Sequence, residues 1–389
     1  MKKSLLVLFA IAGGFAVGNL YFVQPLLARI SEDLGTSTVH NGWLITSVQL
    51  GYVTGIMFLL PLGDVVSRKK FVPIMMTIAG LGQLSISQST NFTWLAISFV
   101  LVGFSTIAGQ ILIPLTNELS DDSNRGRNSS FVVSGMIIGI LAARAISGTL
   151  SDLITWHGTF AVIGLANILL AWTLYNNIPI TQTQEKIPYV KLVSGVFSLW
   201  KKNPWVLRVM FNNSMSMMVF SATWTSITFL LSAKPYNWST TAIGLVGLVG
   251  IVSASAASLT GRSIDSGKGD RNAAWAFGVA ALAMAIGSFA PISLVFLLIS
   301  LLLREFTGQA IAINNQTKLI GMFPHARSRV NAGYVSINFI GQAIGSILAI
   351  SFYPLIGWIG IQWLCCGLSL LGLAFWIFNV RTKPAQPVF

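Results

Sequence analysis

The sequence predicts an all-α membrane protein: twelve transmembrane helices in two pseudo-symmetric six-helix bundles. Three observations predict it. Only 9% of the 389 residues are charged and 54% are hydrophobic, whereas soluble domains carry about 25% charged residues. Uncharged apolar stretches of about 20 residues, the length that crosses a bilayer, recur along the whole chain. Loop signatures of the first half also recur in the second.

The spans follow in order. Residues 4–28 form the first uncharged stretch and 34–63 the second. The run 71–117 is too long for one span and suits two. Residues 128–151 make span 5, interrupted by Arg144, and 153–184 hold span 6, ending near Tyr175. Spans 7 and 8 are 209–233 and 235–261. The stretch 272–317, broken only by Arg304 and Glu305, gives spans 9 and 10, and 330–380 gives the last two. An even number of crossings puts both termini on one side. The opening Met-Lys-Lys and apolar run imitate a signal peptide. The run is long, holds Asn19, Tyr21 and Gln24, and lacks a small-x-small cleavage site, so it reads as span 1.

A formal charge of +13 suggests nucleic acid, but its placement points to lipid. With the N-terminus inside, all 24 Lys and Arg except Arg29, Lys234, Arg144 and Arg304 fall on the cytoplasmic side. That is the positive-inside pattern, which orients both termini to the cytoplasm. The adjacent Cys365 and Cys366 lie inside span 12, and neighbours on a helix do not face each other, so no disulfide is implied.

The longest cytoplasmic connection, 176–203, carries Lys186, Lys191, Lys201 and Lys202. It separates an N-terminal bundle, 1–175, from a C-terminal bundle, 204–389. Asp64 and Asp265 stand 201 residues apart, and Arg125 and Arg127 recur 202 residues on as Arg327 and Arg329. Two loop signatures at nearly one offset argue for duplication.

The segment Pro61-Leu62-Gly63-Asp64-Val65-Val66-Ser67-Arg68-Lys69-Lys70 resembles the loop signature of the major facilitator superfamily, Gly-x-Leu-x-Asp-Arg-x-Gly-Arg-Arg/Lys. Leu60, Val65 and Ser67 depart from it; Asp64, Arg68 and Lys69 keep it. The second copy keeps Gly261 and Asp265. The stretch Asn19-Leu20-Tyr21-Phe22-Val23-Gln24-Pro25 is similar to a bacterial branch with drug-efflux and sugar-efflux-like members, and Pro324-His325-Ala326-Arg327-Ser328-Arg329-Val330-Asn331 resembles the same branch. The resemblance covers essentially the whole chain. It implies the major facilitator fold, alternating access around a site near the bilayer midplane, and a cavity lined by spans 1, 4, 7 and 10. It also implies a cytoplasmic latch made of Asp64, Arg68, Lys69, Gly261, Asp265, Arg125, Arg127, Arg327 and Arg329. Arg68 is expected to pair with Glu118, Asp121 or Asp122.

Intramembrane charge is costly and tends to mark substrate or ion pathways. Arg144, Arg304 and Glu305 are therefore the proton-coupling candidates, with Glu305 the carrier because burial favours the neutral form of a carboxyl group. A static ion pair of Glu305 with Arg304 or Arg144 is the alternative. Glycines Gly135, Gly139 and Gly148 let span 5 approach its neighbours closely. Unlike family antiporters, this span lacks the Gly-Pro pair, with Ala142-Ala143-Arg144 in its place; span 4 lacks an arginine and span 1 an acid. Cavity candidates are Tyr21, Gln24, Gln110, Asn212, Asn213, Trp224, Gln309, Asn315 and Gln316, each equally able to act as helix-helix glue. Helix 7 adds a Met- and aromatic-rich wall.

Other chemistries fail. The stretch 261–268 spaces its glycines by five residues and puts Gly269 where a phosphate loop needs Ser or Thr, so no nucleotide is expected. His40, His157 and His325 are isolated, and no metal spacing or nucleophile-base arrangement is visible. No cofactor or enzyme activity is expected. The expected function is proton-coupled efflux of drug-like or sugar-like small molecules by a monomer in a bacterial inner membrane, with protons as the coupling ion. An uptake carrier or uncoupled facilitator for a specific metabolite stays open. A non-transporting receptor or scaffold would call for large exposed loops, which the sequence lacks.

Overall fold

The computed structural model describes residues 1–180, 203–265, 269–322 and 327–380, with 189, 194, 200 and 201. The side chains of 64, 254, 255, 257, 258, 262, 265, 270, 320 and 327–329 lie outside that description. The described chain is built from α-helices with short 3-10 and π turns. Among the described residues, seven helices are long and apolar enough to cross a membrane. Two of these are much longer than one crossing requires: Arg125–Asn177 and Val330–Val380. Each contains a break in helical geometry. Large apolar side chains such as Ile292 and Leu355, both 77% exposed, cover the outside. Water does not favour such a surface and lipid does.

The chain forms two compact units. The first comprises 1–192 together with 237–248. Its helices are α1 (Lys3–Gly18), α2 (Leu27–Leu34), α3 (Thr38–Asn41), α4 (Trp43–Thr54), α5 (Arg68–Ser87), α6 (Phe92–Ser105), α7 (Ala108–Glu118), α8 (Arg125–Asn177) and α10 (Thr240–Val246). The segment 237–248, which holds α10, belongs to this unit although the residues on either side of it do not. Side chains cap three of these helix starts: Asn91 accepts from Trp94 N–H at 3.0 Å, Ser37 from His40 N–H at 3.0 Å, and Ser239 from Ala242 N–H at 3.3 Å. Helix α8 is broken at Ile154 and Thr155; Thr155 has φ 74°, a conformation a β-branched residue rarely holds.

Helices α1 and α8 approach to backbone contact. A Cβ on Gly14 would sit 2.5 Å from Gly135 O, and one on Gly139 would run into Gly14. The four-residue spacing of Gly135 and Gly139 thus does what the sequence anticipates, while Gly148 packs on Thr240 instead. Deeper in the unit, four buried polar side chains close one network. Asn19 Nδ2 donates to Thr106 Oγ1 at 3.2 Å, Gln83 Nε2 to Asn19 Oδ1 at 2.9 Å, and Asn167 Nδ2 to Gln83 Oε1 at 2.6 Å.

The second unit comprises 193–236 and 249–389. It holds α9 (Pro204–Ser232), α11 (Val252–Asp265), α12 (Gly269–Gly287), α13 (Leu294–Met322) and α14 (Arg327–Phe375). Helix α14 breaks at Gly357, whose φ of 61° suits glycine. Among the described candidate spans α9 is the most enclosed, with 89% of an 18-residue apolar stretch buried. That follows from its polar content, since Asn212, Asn213, Thr223, Thr225 and Thr228 are all buried along it.

Gly139→Val places a branched side chain into α1. Overpacking of this kind costs about 1–3 kcal/mol, so the variant should show a lower melting temperature in detergent and less protein in the membrane. Gly126→Ala, where a Cβ meets nothing within 4 Å, should match the wild type in both measurements.

Candidate functional site

Helix α8 turns one face, Arg144, Gly148 and Asp152 at four-residue steps, toward the segment 237–248 within the first unit. Asp152 is the anchor. Thr240 Oγ1 donates to its Oδ1 at 2.7 Å. Thr241 donates to Oδ2 through its N–H at 2.9 Å and its hydroxyl at 2.6 Å. Arg29 Nη2 adds a bond at 3.3 Å. Burial pulls the Asp152 pKa up, but the bonds from Thr241, Thr240 and Arg29 more than offset it. They hold the carboxyl well below the usual carboxylate range.

One turn along, Thr240 Oγ1 bonds Gly148 O at 3.0 Å, and a Cβ on Gly148 would run into Thr240 O. A further turn along, Gly244 lies on Arg144 O, and a Cβ on Gly247 would sit 2.9 Å from Arg144 Cδ. Glycine at these positions lets the segment lie flat on α8.

Beneath it lies a buried cluster. Arg144 Nε donates to Gln24 Oε1 at 2.6 Å, and its guanidinium carbon stands 4.7 Å from the centre of the Tyr21 ring. Tyr21, Gln24 and Arg144 are 5%, 3% and 3% exposed. The structure therefore gathers two expected cavity residues around one expected coupling residue.

The second unit contains its own charged group. Arg304 is 2% exposed. Its Nη2 donates to the main-chain Ser216 O at 2.7 Å, and its guanidinium carbon stands 5.5 Å from the Phe220 ring centre. It folds along its own helix onto Gly308, where any Cβ would collide with it. The neighbouring Glu305, half-buried, accepts a bond from Trp224 Nε1 at 3.0 Å. Its hydrogen-bond partner is thus a neutral indole.

Other expected residues make hydrogen bonds to neighbouring helices. Gln110 Nε2 donates to Tyr52 OH at 3.2 Å. Asn213 Nδ2 donates to Asn338 Oδ1 at 2.8 Å. Asn315 Nδ2 donates to Asn212 Oδ1 at 3.2 Å, and Asn212 Nδ2 to Gly372 O at 2.9 Å. Gln316 Nε2 reaches Asn331 Oδ1 at 3.0 Å. Gln309 is half-buried on α13.

Of the loop signature, Arg68 pairs with Glu118 at 2.6 Å, the first of the three acids anticipated, and donates from Nε to Gly63 O at 3.1 Å. Lys69 Nζ lies 6.0 Å from the Tyr175 ring centre. Arg125 pairs with Asp122 at 2.9 Å on the surface, and Arg127 is exposed. Gly261 stands in open space on α11. The side chains of Asp64, Asp265, Arg327 and Arg329 lie outside the described residues. Among the described residues no cluster of His, Cys, Asp or Glu could hold a metal ion.

Sequence reasoning missed Asp152 with Thr240 and Thr241, and the network of Asn19, Gln83, Asn167 and Thr106. The signal for the network was present: Gln83 and Asn167 are amides in uncharged apolar runs. Asp152 looked like an ordinary charge at the end of a span.

Asp152→Ala removes four donors' shared acceptor. The loss should cost about 1–2 kcal/mol, read as a lower melting temperature. A depressed carboxylate pKa stabilises above the unfolded value and loses that stabilisation as pH falls through the folded one. The gap between wild type and Asp152→Ala should therefore be constant from about pH 5 to 8 and shrink below about pH 4.

The family model of the Major Facilitator Superfamily matches residues 9–321. The chain is 33% identical over 376 residues to the uncharacterized transporter YgaY of Escherichia coli O157:H7, covering 97% of this chain and 95% of that one. It is 27% identical over 368 residues to a probable transporter of Streptomyces coelicolor, covering 93% and 85%. The fold is similar to the crystal structure of the nucleoside transporter NupG, with a TM-score of 0.75, 16% identity and coverage of 98% and 100%. The chain belongs to the Major Facilitator Superfamily of membrane transporters and is not an enzyme.

Proposed function

We propose that this transporter exports small drug-like or sugar-like molecules in exchange for protons, with Glu305 as the proton carrier. The twelve-span reading fits the helices: the breaks at Thr155 and Gly357 divide each of the two longest into a pair of crossings. With both termini cytoplasmic, the basic loops face the inside of a bacterial inner membrane. The two six-helix bundles, 1–175 and 204–389, joined by the linker 176–203, rock around a central cavity, and one chain is sufficient.

The observation that carries the reading is the setting of Glu305. It lies near the middle of α13 (Leu294–Met322), after the uncharged run 294–303 and next to the buried Arg304. Its partner is Trp224 Nε1. A neutral donor can bond either a carboxylate or the carbonyl oxygen of the protonated acid. Glu305 can therefore gain and lose a proton without breaking its contact with α9. A salt bridge would hold it ionised. Arg68 with Glu118 in the first unit supplies the cytoplasmic latch of that cycle; Asp64, Asp265, Arg327 and Arg329 are its remaining parts.

The test is compound tolerance of an efflux-deficient bacterial host carrying wild type or Glu305→Gln at matched membrane levels. Wild type should raise tolerance to some compounds, and Glu305→Gln should return it to that of the empty host. Undiminished tolerance with Glu305→Gln would remove the carboxyl from the mechanism. Increased sensitivity with wild type would favour uptake.

A further inference from the structure

Helices α5 and α8 of the first unit come to backbone contact at Gly80 and Gly164. A Cβ on either glycine would sit 2.8 Å from the carbonyl oxygen of the other. On the side of this contact where α5 begins and α8 ends lies a groove of about 500 Å³. One wall is a stripe of α5, with Lys70, Ile74 and Ile78 at four-residue steps. The other wall is the end of α8, with Ile168, Trp172 and Tyr175. The groove opens to the outside of the protein, since Trp172 and Tyr175 are 64% and 48% exposed. From Lys70 to Ile78 the helix rises about 12 Å. The hydrocarbon of one leaflet is about 15 Å thick, half of the bilayer core. With Lys70 at headgroup level, the groove therefore follows most of one leaflet toward the midplane. Its walls are mainly apolar, which suits an acyl chain.

The mouth of the groove is basic. Lys70 is exposed there. Lys69 Nζ stands 6.0 Å from the centre of the Tyr175 ring, which draws a second ammonium group toward the α8 wall. Trp and Tyr are the residues that settle at headgroup level, and both line this end. Basic pockets between spans on the cytoplasmic side complement the anionic lipids of that leaflet. A second groove of the unit, between α1 and α8, has no Lys or Arg in its described lining. It gives no reason to prefer one headgroup over another.

We propose that the groove between α5 and α8 binds a phospholipid of the cytoplasmic leaflet with a negatively charged headgroup. One acyl chain lies along Ile74, Ile78 and Ile168, and the headgroup meets Lys69 and Lys70. Arg68, the residue before Lys69, pairs with Glu118, so the lipid bears on the turn of α5 that carries this ion pair. The inference goes beyond the transport reading and takes from it only the cytoplasmic placement of the start of α5. Binding in detergent depends on neither that placement nor transport, so its outcome judges the lipid site alone.

The probes are phosphatidylglycerol and phosphatidylcholine with the same acyl chains, and glycerol phosphate, a headgroup without chains. The measurement is the melting temperature of the full chain, stripped of lipid in detergent and titrated with each probe. Phosphatidylglycerol should stabilise the wild type at lower concentration than phosphatidylcholine, and glycerol phosphate should not stabilise it. Lys69→Gln with Lys70→Gln should weaken phosphatidylglycerol by about tenfold or more and bring it level with phosphatidylcholine. Lys70→Gln alone should weaken it severalfold, and serves if the double variant does not fold. Ile74→Trp fills the groove and should weaken both lipids. Lys201→Gln, at an exposed lysine outside the groove, should bind as wild type does. Equal stabilisation by the two lipids, or by glycerol phosphate and phosphatidylglycerol, would overturn the proposal. So would a preference for phosphatidylglycerol that survives loss of both lysines, an unchanged response in Ile74→Trp, or a loss in Lys201→Gln as large as in the double variant.

Discussion

In lipid, polar groups find their partners inside the protein, because the hydrocarbon offers none. Most of what this structure does follows from that constraint. It makes the fold all-helical. It also makes each amide in a span look for another. Asn19, Gln83, Asn167 and Thr106 answer one another within the first unit. Asn212 with Asn315, and Asn213 with Asn338, do so in the second. Each such bond is worth about 1 kcal/mol or less in a membrane protein. Their larger effect is on register, since sliding one helix would leave several buried groups unsatisfied together.

Charge within the spans obeys the same constraint at a higher cost. Arg304 satisfies it with a main-chain carbonyl, Arg144 with a side-chain amide and an aromatic face, and Glu305 with an indole. The first contact is rigid and the other two are exchangeable. Helix α8 links Arg144 to the segment above it. Arg144, Gly148 and Asp152 share one face, so the contact that covers the arginine and the contact that fastens the cover belong to one rigid element.

Much of the fold was legible in the sequence because it rests on composition and length. Stretches without charge are long and unambiguous, and the four-residue spacing of Gly135 and Gly139 marked a closely packed face of α8, though not that α1 is what packs there. Other features had no local signature. Thr155 carries a positive φ, yet a β-branched residue gives no turn signal. The segment 237–248 is continuous in sequence with the second half, and only packing places it in the first unit. Polar residues in spans could be named but not sorted. Asn212, Asn315 and Gln316 bond one another or neighbouring amides, whereas Tyr21 and Gln24 meet an arginine, and the residue types alone do not separate those roles. The hydrogen bond of Glu305 goes to Trp224, a cavity candidate whose contact with that carboxylate has no signature in the sequence.

The most direct measurement is flux in liposomes that contain only this protein. Vesicles loaded with a mixture of drug-like and sugar-like compounds would be given a pH gradient, and the compounds leaving them identified by mass spectrometry. The account predicts that at least one compound crosses faster than in protein-free vesicles, and that the excess disappears when the gradient is collapsed. Flux equal to that of protein-free vesicles, or flux unchanged when the gradient is collapsed, would contradict it.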